Sequence, residues 1–177
     1  GICGSGILNA VAEMLSEGLL DERGVLNARD GRVRSTNGKA EFLLAPASST
    51  GHGRDIVITR KDVNEIQLAK GAIRAGLDIL LAEANISPND VDDFIIAGAF
   101  GTYLDLPSAL KVGMFPRLPL ERYHQVGNAA GVGARHLLLS RSKREEARQI
   151  AANVEYVELT TTAEFTPRFV EAMYLKE

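Results

Sequence analysis

Apolar residues recur at two different spacings along this chain, and the alternation between them predicts the order of elements. Ile7, Leu8, Val11, Ala12, Met14, Leu15 and Leu19 follow helical spacing. They predict a helix capped by Ser5 or Gly6 and closed near Gly18, a fitting C-terminal glycine. Residues 21–40 are charged and carry Gly24, Gly31 and Gly38, which predicts turns and a ragged hairpin. Glu41–Ala45 and Asp55–Thr59 read as strands, joined by a loop holding Gly51 and Gly53. Thr59 with Asp62 has the form of a capping box. Val63, Ile66, Ile73, Leu77 and Leu80 then predict the apolar stripe of the longest helix, running to about Ala84. Gly71 and Gly76 inside it each cost roughly 1 kcal/mol against Ala, a cost that close helix packing would justify.

After a turn at Asn85–Asp93, the run Phe94-Ile95-Ile96-Ala97 predicts a strand that breaks into Gly98-Ala99-Phe100-Gly101. A short helix is expected over Pro107–Val112, stopped by Gly113, and a short strand over Tyr123–Val126. Gly127-Asn128 leads into a helix to about Leu139, whose Gly131 and Gly133 permit close packing. Ser142 with Glu145 predicts a capping box for a helix to about Ala152. Val154–Leu159 reads as a strand and Thr162–Met173 as a last helix. Helices alternating with short apolar strands imply α/β layers.

Composition narrows the function classes. The 177 residues can form one domain with a real core. A net charge of −3 argues against a nucleic-acid or anionic-membrane partner. No apolar run approaches the roughly 20 residues that span a bilayer. The sequence shows no signal-peptide pattern, and a cytoplasmic setting is the expectation. One cysteine, Cys3, cannot by itself hold an iron–sulfur cluster or a structural zinc. His52, His124 and His136 show no metal-ligand spacing.

Three stretches carry candidate chemistry. Strand, glycine loop, helix is the layout that brings backbone close to a phosphate or a flat ring, so Gly98, Ala99, Phe100 and Gly101 are candidate nucleotide contacts. The same loop also serves as an ordinary tight turn. Gly4, Ser5 and Gly6 at a helix N-terminus could hold an anion through free N–H groups, or simply cap the helix. Gln67, Lys70 and Arg74 fall three and four residues apart on one helix face, as a cleft wall or a solvated face. Cys3 beside that N-terminus reads as a small hydrophobe, and the charge run 141–148 as a solvated helix with internal ion pairs.

Taken in order, four segments point further. They are Gly1–Ile7, Asp62–Gly76, Ala97–Pro116 and Gly127–Ala134. This series resembles the C-terminal part of the corrinoid activation proteins, the reductive activators of corrinoid-dependent methyltransferases. These belong to the superfamily of acetate and sugar kinases, heat-shock chaperones and actin. The resemblance implies a ribonuclease-H-like lobe, an α/β fold with a mixed sheet flanked by helices, over residues 1–177. It also implies ATP, with Mg, in a cleft between two lobes. Ile95–Gly101 is similar to the adenosine motif, and Gly127–Ala134 to the second connecting motif at the lobe interface. The helix of Gln67, Lys70 and Arg74 is similar to the chaperone helix that lies against adenine and ribose. Gly4–Gly6 is similar to a glycine turn on the phosphate side.

The chain departs from the family in two ways. No Asp-x-Gly-Thr phosphate loop occurs in it, and neither does the ferredoxin-like domain whose iron–sulfur cluster, of 2Fe–2S type, supplies the electron. The expectation is a C-terminal lobe, inactive alone, of an activator that uses ATP to reduce cob(II)alamin on a corrinoid protein to cob(I). Alternatives are an ATP-binding lobe of another kinase or dehydratase-activator branch, and a non-catalytic partner-docking module. An exposed lobe face leaves a homodimer open.

Overall fold

A computed structural model describes residues 1–28, 31–36 and 38–176. The first helix begins earlier than expected because Cys3 is extended and its Sγ accepts the Gly6 N–H at 3.3 Å. That bond satisfies one of the donors a helix start leaves orphaned. Helix α1 spans Gly4–Ser16, so Ser5 and Gly6 lie in its first turn and the cap is Cys3. Leu8, Val11, Ala12 and Met14 face the core. Gly18 closes the helix in the left-handed region, φ +68°, as the pattern implied.

The expected turns and hairpin at 21–40 fall partly on residues 29, 30 and 37, outside the described residues. In the described part, β1 (Val33–Thr36), β2 (Lys39–Ala45) and β3 (Ile56–Thr59) form an antiparallel sheet in that order. Val33, Phe42 and Ile58 sit in register and turn inward. Arg34 clamps the sheet, with Glu41 at 2.8 Å and Asp55 at 2.6 Å. The same guanidinium holds both carboxyls below their ordinary pKa.

Helix α2, Arg60–Glu83, starts at the expected capping box. Thr59 N–H donates to Asp62 at 2.8 Å, and the Thr59 hydroxyl accepts from Asp62 N–H at 3.3 Å. Its buried face differs from the predicted stripe. Ile73 and Leu80 are exposed, whereas Val63, Gln67, Lys70, Gly71, Ala75, Gly76 and Ile79 are buried. The reason lies in what packs there. Helix α7, Phe165–Ala172, lies along α2 with the tail that follows it. A Cβ on Gly71 would stand 3.2 Å from Met173 and 3.4 Å from the Ala172 backbone, and one on Gly76 would stand 3.2 Å from Leu159. The glycines admit this close approach, which offsets their cost to the helix.

The second sheet pairs β4 (Phe94–Ala97) with β5 (Tyr123–Gly127) in parallel. Between them run α3 (Ala99–Tyr103) and α4 (Leu106–Lys111), the latter capped by Asp105, which accepts the Ser108 N–H at 3.0 Å. Phe94, Phe115 and Tyr123 pack ring to ring beneath the sheet, with centroids 5.1 to 6.3 Å apart. Helix α4 packs on α1, joining the sheet to the core around Leu8, Val11 and Val112. The α/β character expected from the sequence thus takes the form of sheets flanked by helices.

Helix α5 (Ala129–Leu139) is capped by Asn128, and α6 (Arg141–Ala152) by Ser140. Ser142 is therefore not the cap; its hydroxyl lies 2.9 Å from that of Ser140. Glu145 pairs with Arg148 at 2.9 Å instead of closing a capping box, and Lys143 with Glu146 at 2.6 Å. Val154–Leu159 is not a strand. No neighbouring strand pairs with it among the described residues; Val154 and Tyr156 are exposed, and a 3-10 turn follows at Leu159–Thr161.

The tail beyond α7 turns back into the core. Leu175 is buried, and its N–H donates to the Glu22 carbonyl at 2.7 Å. Gly113, with φ +75°, leaves just enough room for it: a Cβ there would overlap the Lys176 carbonyl oxygen. Gly113→Ala is expected to cost roughly 2 kcal/mol or more in unfolding free energy, from strain and overlap together. Gly18→Ala, strained but surrounded by open space, should cost about 1 kcal/mol. Urea denaturation compares the two variants, and equal losses would contradict the close tail approach.

Candidate functional site

The turn after β4 takes its shape from Gly98. Its φ of +100° and ψ of 166° lie where side-chain-bearing residues are strained. The Gly98 N–H donates to the Gly127 carbonyl at 2.6 Å, and the Gly98 carbonyl accepts from Thr102 N–H at 3.1 Å and Thr102 Oγ1 at 3.0 Å. Gly127, itself at φ +65°, closes the other side of the turn. Gln125 Nε2 reaches across from β5 to the Leu104 carbonyl at 2.8 Å and to the Gly101 carbonyl. The loop is therefore held from beneath by β5.

The two loop glycines do different jobs. Gly101 is buried, and a Cβ there would stand 2.6 Å from Ile96 Cγ2, so it is a packing glycine. Around Gly98 nothing lies within 4 Å of where a Cβ would point. The backbone there borders open space that any side chain would fill. Ala99 and Phe100 are exposed beside it.

The Phe100 ring joins this loop to the α1 N-terminus. Its edge lies 3.5 Å from the position of a Gly4 Cβ. Gly4–Gly6 and Gly98–Gly101, remote in sequence, thus meet at one place, as Gly4 and Gly98 must for both to serve one ligand. At that terminus the Cys3 thiol is held below its ordinary pKa, first by the Ser5 hydroxyl and then by the Gly6 N–H.

Gln67, Lys70 and Arg74 lie elsewhere in the fold, against the C-terminal segment. Gln67 Nε2 donates to the Met173 carbonyl at 2.9 Å, and its Oε1 accepts from Arg60 at 2.7 Å. Lys70 Nζ donates to the Tyr174 carbonyl. Arg74 donates to Asp78 at 2.9 Å and to the Phe115 carbonyl at 2.9 Å. Gln67 and Lys70 are buried, which rules out the solvated face, and each lies in the wall of a cleft. Lys70 and Arg74 border a cleft of about 450 Å³, with Arg168, Tyr174 and Lys176 on its far side. Burial, reinforced by the like charges of Arg74 and Lys176, brings the Lys70 pKa down from 10.5 to about 8.

Sequence spacing did not reveal Gln125, Thr102, Arg168 or Lys176. Each acts through a tertiary contact with no periodic signature. Among the described residues no three His, Cys, Asp or Glu side chains come together as a metal site. Cys3 stands alone, so these residues fit neither an iron–sulfur cluster nor a carboxylate-held Mg. No helix is long and apolar enough to cross a membrane among the described residues.

The chain matches, over residues 1–177, the family model described as the C-terminal domain of RACo, the ASKHA domain. It is 36% identical over 180 residues to the corrinoid activation enzyme RamQ of Eubacterium limosum, covering 97% of this chain and 30% of that protein. It is 32% identical over 154 residues to the Co(II) methylated amine-specific corrinoid protein reductase of Methanosarcina barkeri, covering 87% of this chain and 25% of that protein. The solved structure of a reductive activator for a corrinoid, iron–sulfur protein superposes with a TM-score of 0.89 at 36% identity, over 99% of this chain and 28% of that one. The chain therefore spans less than a third of the length of the proteins it matches.

A buried Lys with a lowered pKa binds fewer protons folded than unfolded, so folding gains stability as pH rises from about 8 towards 10.5. The displacement corresponds to roughly 3 kcal/mol. Lys70→Met should remove this component. Urea midpoints at pH 7.5 and 10 check it, and an identical pH slope in wild type and variant would contradict the burial of an ionised Lys70.

Proposed function

Because the chain belongs to the family of the C-terminal ASKHA domain of RACo, we propose that it forms the adenosine side of an ATP site in a reductive activator of corrinoid proteins. The observation that carries this reading is the open, positive-φ backbone at Gly98, set beside the α1 N-terminus by the Phe100–Gly4 contact. In this proposal Gly98 and Ala99 present bare backbone to the base, and Phe100 walls the site. Gly4 and Ser5, at the positive end of α1, lie towards the phosphates. Gln67 and Lys70 set the position of α2 by gripping the tail, and Arg74 reaches the cleft rim.

Bound ATP would supply the driving force; no three His, Cys, Asp or Glu side chains come together among the described residues to hold its Mg. In the whole activator an iron–sulfur centre would supply the one electron that takes cob(II)alamin of a methyltransferase corrinoid protein to cob(I); Cys3 alone could not hold it. This chain contributes binding and coupling, in keeping with the division of labour between cofactor and protein. A cytoplasmic setting and a homodimer belong to the same proposal.

Gly98→Val should weaken ATP binding by the full-length protein at least about tenfold, equivalent to roughly 1.4 kcal/mol, because the branched side chain fills the open space at the turn. Calorimetric titration with ATP and Mg, with circular dichroism to confirm folding, makes the measurement. Unchanged affinity in a folded variant refutes the loop's role. ATP-dependent formation of cob(I) by the full-length protein, followed by absorbance, tests the activity, and reduction at the same rate without ATP would refute it.

A further inference from the structure

The cleft between α2, α7 and the Gly113 turn holds one buried positive charge, on Lys70, that no carboxylate among the described residues pairs with. Its volume of about 450 Å³ suits a small ligand. Lys70, Arg74, Arg168 and Lys176 line it with Asp78 and Glu171; counting Glu164, which pairs with Arg168, these described residues leave an excess of one positive charge. The acids are engaged. Asp78 takes both carboxylate oxygens to Arg74 Nε, at 2.9 and 3.0 Å, and Glu171 lies 3.9 Å from Lys176 Nζ. Arg168 is paired with Glu164 at 2.6 Å.

Lys70 is the exception. It is only 1% exposed, and among the described residues its ammonium has one hydrogen-bond partner, the Tyr174 carbonyl. Among the described residues no carboxylate pairs with it, and the charges that act on it, Arg74 and Lys176, are both positive. A buried cation without a counter-ion is costly, and an anion entering the open cleft would relieve that cost.

We propose that this cleft binds a phosphate-bearing anion, with Lys70 at its floor and Arg74, Arg168 and Lys176 around its mouth. A phosphate monoester carries close to two negative charges and three acceptor oxygens. Its several acceptor oxygens suit the mixture of ammonium and guanidinium donors around Lys70 better than a single carboxylate does. The site is separate from the Gly98 loop: α2 packs on α7, β2 and β3, whereas α3 packs on β4, β5 and α1. The proposal therefore stands whether or not Gly98 contacts a nucleotide. Free phosphate and the phosphates of a nucleotide share the chemistry, and the test separates them.

Pyrophosphate, ADP and adenosine are titrated calorimetrically into the full-length protein, as wild type, Lys70→Met, Arg168→Gln and Gly98→Val. The expected result is pyrophosphate binding that weakens about tenfold in Lys70→Met and about threefold in Arg168→Gln and is unchanged in Gly98→Val. Binding should also weaken as pH rises past about 8, where Lys70 loses its proton. If only ADP binds and Arg168→Gln weakens it, the phosphate comes from a nucleotide and the site is supported. Arg168→Gln keeps the test decisive if Lys70→Met fails to fold. Pyrophosphate and ADP affinities unaltered by Arg168→Gln, or no binding of either at millimolar concentration, would overturn the proposal. A loss of ATP binding in Gly98→Val alone bears only on the loop.

Discussion

The C-terminal segment has backbone carbonyls that must be satisfied as it enters the core, and two polar side chains buried in α2 satisfy them. Gln67 takes the Met173 carbonyl and Lys70 the Tyr174 carbonyl. Much else follows from that grip. Gly71 and Gly76 must be bare so that α7 and the Leu159 turn can approach. Gly113 must be bare so that Lys176 can pass. Leu175 then closes the core against Glu22. A helix that would otherwise bury Ile73 and Leu80 is rotated to bury Gln67 and Lys70, and the exposed Ile73 and Leu80 are its visible consequence.

The same grip separates two regions that one nucleotide motif would otherwise combine. On one side, α1, β4, α3 and β5 bring Gly4 and Gly98 together through Phe100. On the other, α2 and α7 hold a cationic cleft around a buried ammonium. Family membership supports a corrinoid activator domain. The proposals place a nucleotide at the first region and a separate phosphate-bearing anion at the second.

Much of the fold was legible in the sequence where the signal is local. The Thr59–Asp62 capping box, the Gly18 stop, the Phe94 strand and the glycine turn after it all follow from short-range chemistry. What could not be read depends on distant partners. Cys3 rather than Ser5 caps α1 because its extended backbone happens to aim sulfur at Gly6. Val154–Leu159 has strand composition but no partner strand among the described residues. Lys70 looks like a solvated residue by spacing, and only the arrival of Tyr174 accounts for its burial. The candidate site divides in the same way. The Gly98 loop announces itself by its glycines, whereas Arg168 and Lys176 join the cleft only through the packing of α7 on α2.

The central claim is that nucleotide meets this domain at the Gly98 loop and the α1 N-terminus. Hydrogen–deuterium exchange of the full-length protein, with and without ATP and Mg, tests it most directly. Slowed exchange in peptides covering residues 1–7 and 97–103 is the predicted result. Protection elsewhere in the domain, with both of these segments unchanged, would contradict it.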